Sequence, residues 1–214
     1  MNVAFYLTGS DPHAFVFADH LMRSVRSTMP DVRITQLTDA KTDAVYGVDD
    51  VRRKPTQTLS LLRSAHYAEL IGEWILLDTD CIIERDVRHV FDASFDVAVT
   101  DRDWSHISPL PDAFVEKMPY CAGVVFSREA RFWRAVHERV ALMNEKDQKW
   151  YGDQVAMAEV IRRNEFQCRV LPGSVYQYPP QTEQDDLSHV GITHYKGPER
   201  KQLLLKRIQR ECFV

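Results

Sequence analysis

The chain has 214 residues, of which 44% are hydrophobic and 27% charged, with a formal net charge of −4. This length suits one large domain or two small ones, and the composition is ordinary for a globular protein. The acidic balance gives no support to a general binder of nucleic acid or of anionic membranes, although a local basic patch remains an alternative.

The cysteines do not follow a metal-binding or secretory pattern. None stands in a CxxC, and no His/Cys cluster has zinc spacing. The first residues lack a charged segment followed by a long apolar one, and no run approaches the ~18 apolar residues of a membrane helix. We therefore expect a cytoplasmic protein with reduced thiols, a disulfide being the alternative, at Cys81, Cys121, Cys168 and Cys212.

Predicted strands and helices alternate along the chain. Helices are predicted from Pro12 to the break at Met29, from Thr58 to about Leu70, around Trp133 to Met143, over 152–163, and in a basic tail from Glu199. Residues 104–120 contain three prolines and are expected to form an irregular insertion. The alternation predicts an α/β fold, a central sheet flanked by helices. Its strands are expected at 3–7, 32–37, 49–54, 74–77, 96–100, 123–126, 166–171 and 192–195.

One predicted strand ends in a pair of acids, in the stretch WILLDTDCII. Residues i and i+2 of a strand face the same side, so Asp78 and Asp80 share a side if the strand continues. Ligands of open α/β sheets bind beyond the carboxyl ends of the strands. Two close carboxylates repel unless a cation lies between them, and oxygen ligands favour Mg²⁺ or Mn²⁺. This predicts a metal that bridges the pair to a nucleotide diphosphate.

The same pattern has a plainer interpretation, because Asp favours turns and strand ends are often acidic. A second pair, Asp101 and Asp103, also follows a predicted strand in FDVAVTDRDW. Arg102 between them could neutralise both without a metal. For this second pair a sugar-binding or structural role is favoured over metal binding.

Four segments, in order, carry a resemblance to a known family. LSLLRSAHYAEL followed by WILLDTDCII, then YCAGVVFS, YGDQVAMAEV and ITHYKGPERK span nearly the whole chain. Each is weak alone, but their order and separations resemble glycosyltransferases of the GT-A fold. The family 8 type, which includes glycogenin and bacterial galactosyltransferases, is the most similar.

The resemblance implies one Rossmann-like GT-A domain with a mixed central sheet. It divides the chain into a nucleotide-binding half (1–103), an acceptor and sugar half (104–198) and a basic C-terminal helix (199–214). Asp78, Asp80 and His194 are expected to bind Mn²⁺ or Mg²⁺, and the imidazole favours Mn²⁺.

The resemblance also implies roles around the donor. The nucleotide and its phosphates are expected to contact residues at strand ends and helix starts. Asp153 and Gln154 are expected beside the reacting sugar carbon, Asp153 being the candidate base, with helix capping as its alternative role. The other expected donor-binding residues are Thr8, Asp39, Arg63, Asp101, Asp103, Gly123, Gly197, Arg200 and Lys201.

Two features depart from the family pattern. Cys121 stands where the family has Asn, so the contact made by that amide is altered. The ending GPERKQ lacks the usual Lys-Pro-Trp, which leaves the choice between Arg200 and Lys201 as the phosphate-binding cation open. The chain is also short for the family, so acceptor-binding additions are expected to be missing.

The expected activity is transfer of a sugar from a nucleotide-sugar, a UDP-sugar by preference, to an unknown glycan, lipid-linked or protein hydroxyl, with retention by resemblance. One alternative is a phosphatase or phosphotransferase with an aspartyl nucleophile. In that case Asp185 and Asp186 supply the downstream acids. Others are a non-catalytic sugar-nucleotide binder and self-glycosylation at Tyr176 or Tyr178, which more simply pack against neighbours.

The C-terminal segment combines apolar and basic residues, among them Leu204, Lys206, Arg207 and Arg210. Such a helix can dock peripherally on anionic lipid. Packing of the helix on the domain is the favoured alternative.

Overall fold

A mixed seven-stranded sheet forms the centre of the computed structural model, which describes residues 1–103, 112–149 and 151–212. The strand order is β3-β2-β1-β4-β7-β6-β8, and β5 and β9 form a separate two-stranded sheet. The strands are β1 Asn2–Tyr6, β2 Arg33–Asp39, β3 Asp50–Lys54, β4 Trp74–Asp78, β5 Cys81–Ile83, β6 Val97–Thr100, β7 Cys121–Ser127, β8 Cys168–Leu171 and β9 Ile192–His194.

Helices cover both faces of this sheet. The first begins at Pro12 after Asp11, whose side chain accepts a hydrogen bond from the amide of His13 and caps the helix. The described helices are α1 Pro12–Thr28, α2 Leu59–Tyr67, α3 Asp112–Lys117, α4 Ala130–Ala141, α5 Glu145–Gln148, α6 Gly152–Arg162, α7 Gly173–Tyr176 and α8 Pro198–Cys212, with a 3-10 turn at Arg88–Asp92.

The direction of the strands changes in the middle of the sheet. β1, β2, β3 and β4 run parallel, whereas β7 is antiparallel to both β4 and β6. The carboxyl ends of β1, β2 and β4 therefore meet at one edge, beside the point where the direction reverses. In open α/β sheets this edge is where ligands bind.

Alternation along β4 fills two separate hydrophobic cores. Ile75 and Leu77 pack on the side of α1, whereas Trp74 and Leu76 pack on the side of α2, α4 and α6. All four side chains are at most 4% exposed. Because the period of a strand is two residues, Asp78 continues the row of Trp74 and Leu76 and faces α2 and α6.

The terminal helix α8 packs on the domain. Leu204 is fully buried in a third apolar cluster with Phe17, Ile82 and Tyr195. The basic side chains of α8 form ion pairs within the chain: Lys206 and Arg210 with Glu183, and Arg207 with Glu84 and Glu211. These contacts favour packing on the domain over docking on lipid. Among the described residues, no helix has the length and apolarity needed to cross a bilayer.

The mixed sheet with helices on both faces confirms the predicted fold class. The condition under which Asp78 and Asp80 share one side of a strand is not met, because β4 ends at Asp78, a turn follows, and β5 begins at Cys81. One local prediction was wrong. Part of the expected irregular insertion is helical, at Asp112–Lys117, because its prolines lie outside those six residues; residues 104–111 lie outside the described part of the chain.

Leu204→Ala is expected to lower the free energy of unfolding by about 2–5 kcal/mol, because it opens a cavity beneath α8. Leu142→Ala is the matched control, since this side chain is 77% exposed and should change stability by less than about 0.5 kcal/mol. Urea denaturation of both variants measures the difference. Equal stabilities would contradict the packing of α8 on the domain.

Candidate active site

The acid pair lies at the carboxyl edge of the sheet, in the turn between β4 and β5. Asp78 is the last residue of β4, and its side chain is 27% exposed. Asp80 lies in the turn itself and is buried, with its side chain 11% exposed. The backbone carbonyl of Asp80 accepts a hydrogen bond from the Tyr195 amide at 2.8 Å, which ties the turn to the chain after β9.

His194 lies beside both acids because β9 pairs antiparallel with β5. The register places His194 opposite Cys81, the residue that follows Asp80. The imidazole Nε2 is 3.2 Å from Asp80 Oδ1 and 3.7 Å from Asp78 Oδ2. His194, which is far from Asp78 and Asp80 in the sequence, therefore lies beside them, and the three predicted metal ligands converge.

Gly123 of β7 leaves the space that this convergence requires. A Cβ at this position would lie 2.4 Å from His194 Cε1 and 2.9 Å from Asp78 Oδ2. Both distances are shorter than any normal contact, so a side chain at position 123 would displace the imidazole and the carboxylate. The role of Gly123 is thus steric.

Two carboxylates and an imidazole form a donor set that fits Mn²⁺ or Mg²⁺. Within the described residues, ligand atoms of Asp80, Cys81 and His194 also lie within 4.8 Å of one another. Asp78 nevertheless suits a hard cation better than Cys81 does. The Cys81 thiol donates to the Gly123 carbonyl, burial and then the nearby acids raise its pKa well above the ordinary value, and sulfur is a poor ligand for hard cations.

Positive side chains compensate the charge of Asp80. Lys201 Nζ lies 3.4 Å from Asp80 Oδ2, opposite the His194 contact. Burial favours the neutral carboxyl, but His194 and Lys201 outweigh it and hold the pKa of Asp80 well below its usual range. Burial likewise opposes protonation of His194, yet Asp80 outweighs it and raises the pKa of the imidazole to about 10.

Arg63 of α2 bridges the acid pair to α6. Its Nη1 lies 3.4 Å from Asp78 Oδ1 and 3.2 Å from Asp153 Oδ2, and its guanidinium stacks over the ring of Tyr6. Burial lowers the pKa of Arg63, but Asp78 and Asp153 outweigh it and raise that pKa above the ordinary value. Burial raises the pKa of Asp153, while Arg63 partly offsets this.

Asp153 and Gln154 lie in the first turn of α6. Tyr151 is the N-cap residue of this helix, so Asp153 does not cap it. Gln154 Oε1 accepts a hydrogen bond from the buried Arg102 at 2.9 Å. Arg102, expected between the acids of the second pair, thus reaches across to α6.

The second acid pair bonds to the start of α7. Asp101 Oδ1 accepts from the Gly173 amide at 2.8 Å, and Asp103 Oδ1 accepts from the Ser174 amide at 2.6 Å. Neither acid takes part in the metal-ligand cluster among the described residues. These contacts agree with the expectation of a structural role for Asp101 and Asp103.

An open cleft of about 670 Å³ lies beyond the carboxyl ends of β1 and β2. Gly9 and Ser10 of the loop after β1, the first turn of α1 and the segment Asp39 to Ala44 line it. Asp39 Oδ1 accepts hydrogen bonds from the amides of Lys41 and Thr42 and from the Thr42 hydroxyl. Asp39 therefore shapes the cleft wall. Thr8 lies two residues after the end of β1, just before Gly9.

The two expected phosphate-binding cations differ in position. Lys201 contacts Asp80, whereas Arg200 donates to the Lys196 carbonyl and to Gln181 Oε1, both at 3.2 Å. Gly197 has a φ of +92°, which favours glycine, and a Cβ there would meet nothing within 4 Å. The need for Gly197 is conformational, as in an ordinary turn.

Two side chains beside this site were not predicted: the buried Gln177 and the exposed Lys196. Gln177 lies 2.7 Å from His194 Nδ1. Lys196 Nζ lies 3.9 Å from the Cys121 sulfur. Burial opposes ionisation of Cys121, but Lys196 and His194 outweigh it and lower the pKa of the thiol to about 5. The KG dipeptide after His194 was a signal for Lys196, whereas the VYQYPP segment carries no signal for Gln177.

The residues proposed for the phosphatase and self-glycosylation alternatives form hydrogen bonds or packing contacts with nearby side chains and backbone. Asp185 accepts from Tyr178, Gln181 and Thr182, and Asp186 accepts from the Ser188 amide. Tyr176 packs edge-to-face on Phe126. The described cysteines, Cys81, Cys121 and Cys168, are free thiols, and the side chain of Cys212 lies outside the described part of the structure.

Solved glycosyltransferases share this fold. The galactosyltransferase LgtC in complex with donor and acceptor sugar analogues superposes with a TM-score of 0.56 at 13% identity, over 97% of this chain and 96% of LgtC. A glutamine-to-glutamate active-site mutant of LgtC gives 0.57 at 13% identity, over the same shares of both chains. The bifunctional glycosyltransferase WbbM, in its apo structure, gives 0.62 at 14% identity, over 97% of this chain and 49% of WbbM.

No family model matches the sequence, and no curated protein matches it. The fold is nevertheless defined by the superpositions and by the strand order. The chain has the GT-A fold of glycosyltransferases, as the resemblance of its four segments implied.

Arg63→Met is expected to lower the free energy of unfolding by about 3–5 kcal/mol, because it leaves Asp153 buried without its partner. The double variant Arg63→Met/Asp153→Asn removes the stranded charge and should recover part of this loss. Arg23→Met is the control, since its pair with Asp19 is exposed and contributes about 0–1 kcal/mol. Chemical denaturation compares the variants, and a loss no larger than in the control would contradict the buried ion pair.

Proposed function

We propose that this protein is a metal-dependent glycosyltransferase that moves a sugar from a nucleotide-sugar to a hydroxyl group. The convergence of Asp78, Asp80 and His194 at the carboxyl edge of a GT-A sheet carries the proposal. A fold of this kind offers the crevice, and the acid pair offers oxygen ligands for a cation shared with the donor diphosphate.

The three ligands would hold Mn²⁺ or Mg²⁺, with Mn²⁺ favoured by the imidazole. A divalent cation held there would supply positive charge to the departing diphosphate. Gly123 keeps the space beside the ligands open, because any Cβ there would overlap His194 and Asp78. The fixed position of His194 opposite Cys81 orients its ring toward the acids.

Positively charged side chains would support the same step. Lys201, 3.4 Å from Asp80 and 45% exposed, can turn from the carboxylate to a phosphate oxygen. Its positive charge would then stabilise the diphosphate as the bond to the sugar breaks. Arg63 lies 3.4 Å from Asp78 on the other side and offsets the negative charge of that carboxylate. Arg200, whose Nε is buried without a hydrogen bond among the described residues, is a second candidate for phosphate contact.

The sugar is proposed to lie beside the start of α6. Asp153 has a raised pKa, because burial favours its neutral form, and a carboxylate of raised pKa is the better proton acceptor. Asp153 is therefore the candidate base, and Gln154, held by Arg102, lines the same place. LgtC also has a glutamine in its active site, which is compatible with the position proposed for Gln154. The second pair, Asp101 and Asp103, would support this wall through α7.

The nucleoside is proposed to occupy the cleft beyond β1 and β2, next to Thr8 and Asp39. The cleft volume of about 670 Å³ suits a base and ribose. The preference for uridine, the retention of anomeric configuration and a cytoplasmic location rest on the family 8 resemblance and on composition. The acceptor is a glycan, lipid-linked or protein hydroxyl, the galactosyltransferase LgtC providing the analogy of a sugar acceptor.

Asp80→Ala is expected to reduce Mn²⁺-dependent turnover of nucleotide-sugars by a factor on the order of 10² or more, because it removes a metal ligand and the carboxylate that Lys201 contacts. Asp186→Ala is the control, since this exposed acid bonds only within its own loop among the described contacts. The assay follows release of nucleoside diphosphate from a panel of nucleotide-sugars, with Mn²⁺ or with EDTA.

Full turnover by Asp80→Ala would contradict the metal assignment. Release of phosphate from a generic phosphomonoester, lost in the Asp186→Ala variant, would instead favour the phosphatase alternative. Nucleotide binding without turnover of any sugar donor would favour a binding module.

A further inference from the structure

Gln177 is a buried amide that faces the ring of His194. It follows α7, is 1% exposed, and its backbone amide donates to the Gly173 carbonyl at 2.9 Å. The next residue, Tyr178, exchanges backbone hydrogen bonds with Ile192 and His194 of β9. The backbone on both sides of Gln177 is therefore fixed relative to the imidazole.

The side chain of Gln177 joins His194 to Thr100. Its Nε2 lies 2.7 Å from His194 Nδ1, and its Oε1 accepts a hydrogen bond from the Thr100 hydroxyl. The Thr100 oxygen also lies 3.5 Å from the Val124 carbonyl. Thr100 is fully buried, so solvent does not reach the series of hydrogen bonds from Val124 to His194 at this residue.

The orientation of this amide decides which imidazole nitrogen carries the proton of neutral His194. When Nε2 of Gln177 donates to Nδ1, the ring proton is on the opposite nitrogen and points to Asp80. That tautomer has no lone pair for a metal on the acid side. Rotation of the amide by 180° exchanges its oxygen and nitrogen with little change in heavy-atom positions.

The rotated amide gives each of the acceptor oxygens a donor. Gln177 Oε1 then accepts from the protonated Nδ1 of His194, and the amide nitrogen donates to the Thr100 oxygen. The Thr100 hydroxyl is left to donate to the Val124 carbonyl. His194 Nε2 presents its lone pair toward Asp78 and Asp80, which lie within 3.7 Å.

We propose that Gln177 is a positioning residue for the metal site: its amide oxygen holds the proton on His194 Nδ1, so that Nε2 is free to bind the cation, and Thr100 fixes the amide in this orientation. The inference rests on the proposed function, since it needs a metal at Asp78, Asp80 and His194. Metal-binding imidazoles generally donate their other N–H to a fixed oxygen, and loss of that partner costs about 10–100-fold in metal affinity.

Binding of Mn²⁺ alone tests this role without nucleotide, sugar or turnover. Titrations followed by the electron paramagnetic resonance of free Mn²⁺ compare the wild type with Gln177→Leu and Gln177→Glu. The leucine variant is expected to bind about 10–100-fold more weakly. The glutamate variant should bind within a few-fold of the wild type or more tightly, because a carboxylate only accepts and retains the required tautomer.

Gln36→Leu is the matched control. Gln36 is also a fully buried amide with two hydrogen bonds, to the Asp43 carbonyl and from the Val45 amide, and it lies on β2. It should lose stability without losing Mn²⁺ affinity. Thr100→Val removes the partner that fixes the amide and should weaken Mn²⁺ binding severalfold, which keeps the test intact if Gln177→Leu does not fold.

The outcomes separate this inference from the metal site itself. A wild-type protein that binds no Mn²⁺ would overturn the metal assignment and this role together. Wild-type binding with undiminished affinity in Gln177→Leu would overturn the role of Gln177 alone. If that variant does not fold, undiminished affinity in Thr100→Val or a loss of 10-fold or more in Gln177→Glu would overturn it.

Discussion

The contact between Asp80 and His194 depends on the pairing of two strands of only three residues. β5 follows the turn that contains Asp80, and β9 ends at His194, so their antiparallel register brings the imidazole to the acids. A slip of one residue would turn His194 to the opposite face of the small sheet. The buried chain that runs from Val124 through Thr100 and Gln177 fixes the other side of the same ring.

The site is largely buried, so its negative charges need positively charged partners. Three carboxylates, Asp78, Asp80 and Asp153, lie within reach of cations from separate elements. Arg63 comes from α2 and Lys201 from α8. Because buried charges are costly without partners, each pair fixes the helices as well as the side chains. A divalent cation entering between Asp78 and Asp80 would join an arrangement already built to hold positive charge.

The sequence predicted the parts of this site that local patterns encode. The apolar run of β4, its acid pair and the helix of Arg63 were evident from periodicity, and the resemblance added His194. Strand β5 was missed, because CII is too short to show a period, and the turn at Asp80 was only the alternative interpretation. Gln177 gave no signal, since its role depends on α7 and β9 meeting in space, and a single glutamine in a loop has no distinctive pattern.

The most direct test of the metal site is anomalous diffraction at the manganese edge from crystals grown with Mn²⁺ and UDP. The account predicts one strong peak bonded to Asp78, Asp80 and His194, with the diphosphate oxygens completing the coordination. It also predicts the base in the cleft between Gly9 and Ala44. A peak on other residues, or a nucleotide bound away from this edge of the sheet, would contradict it.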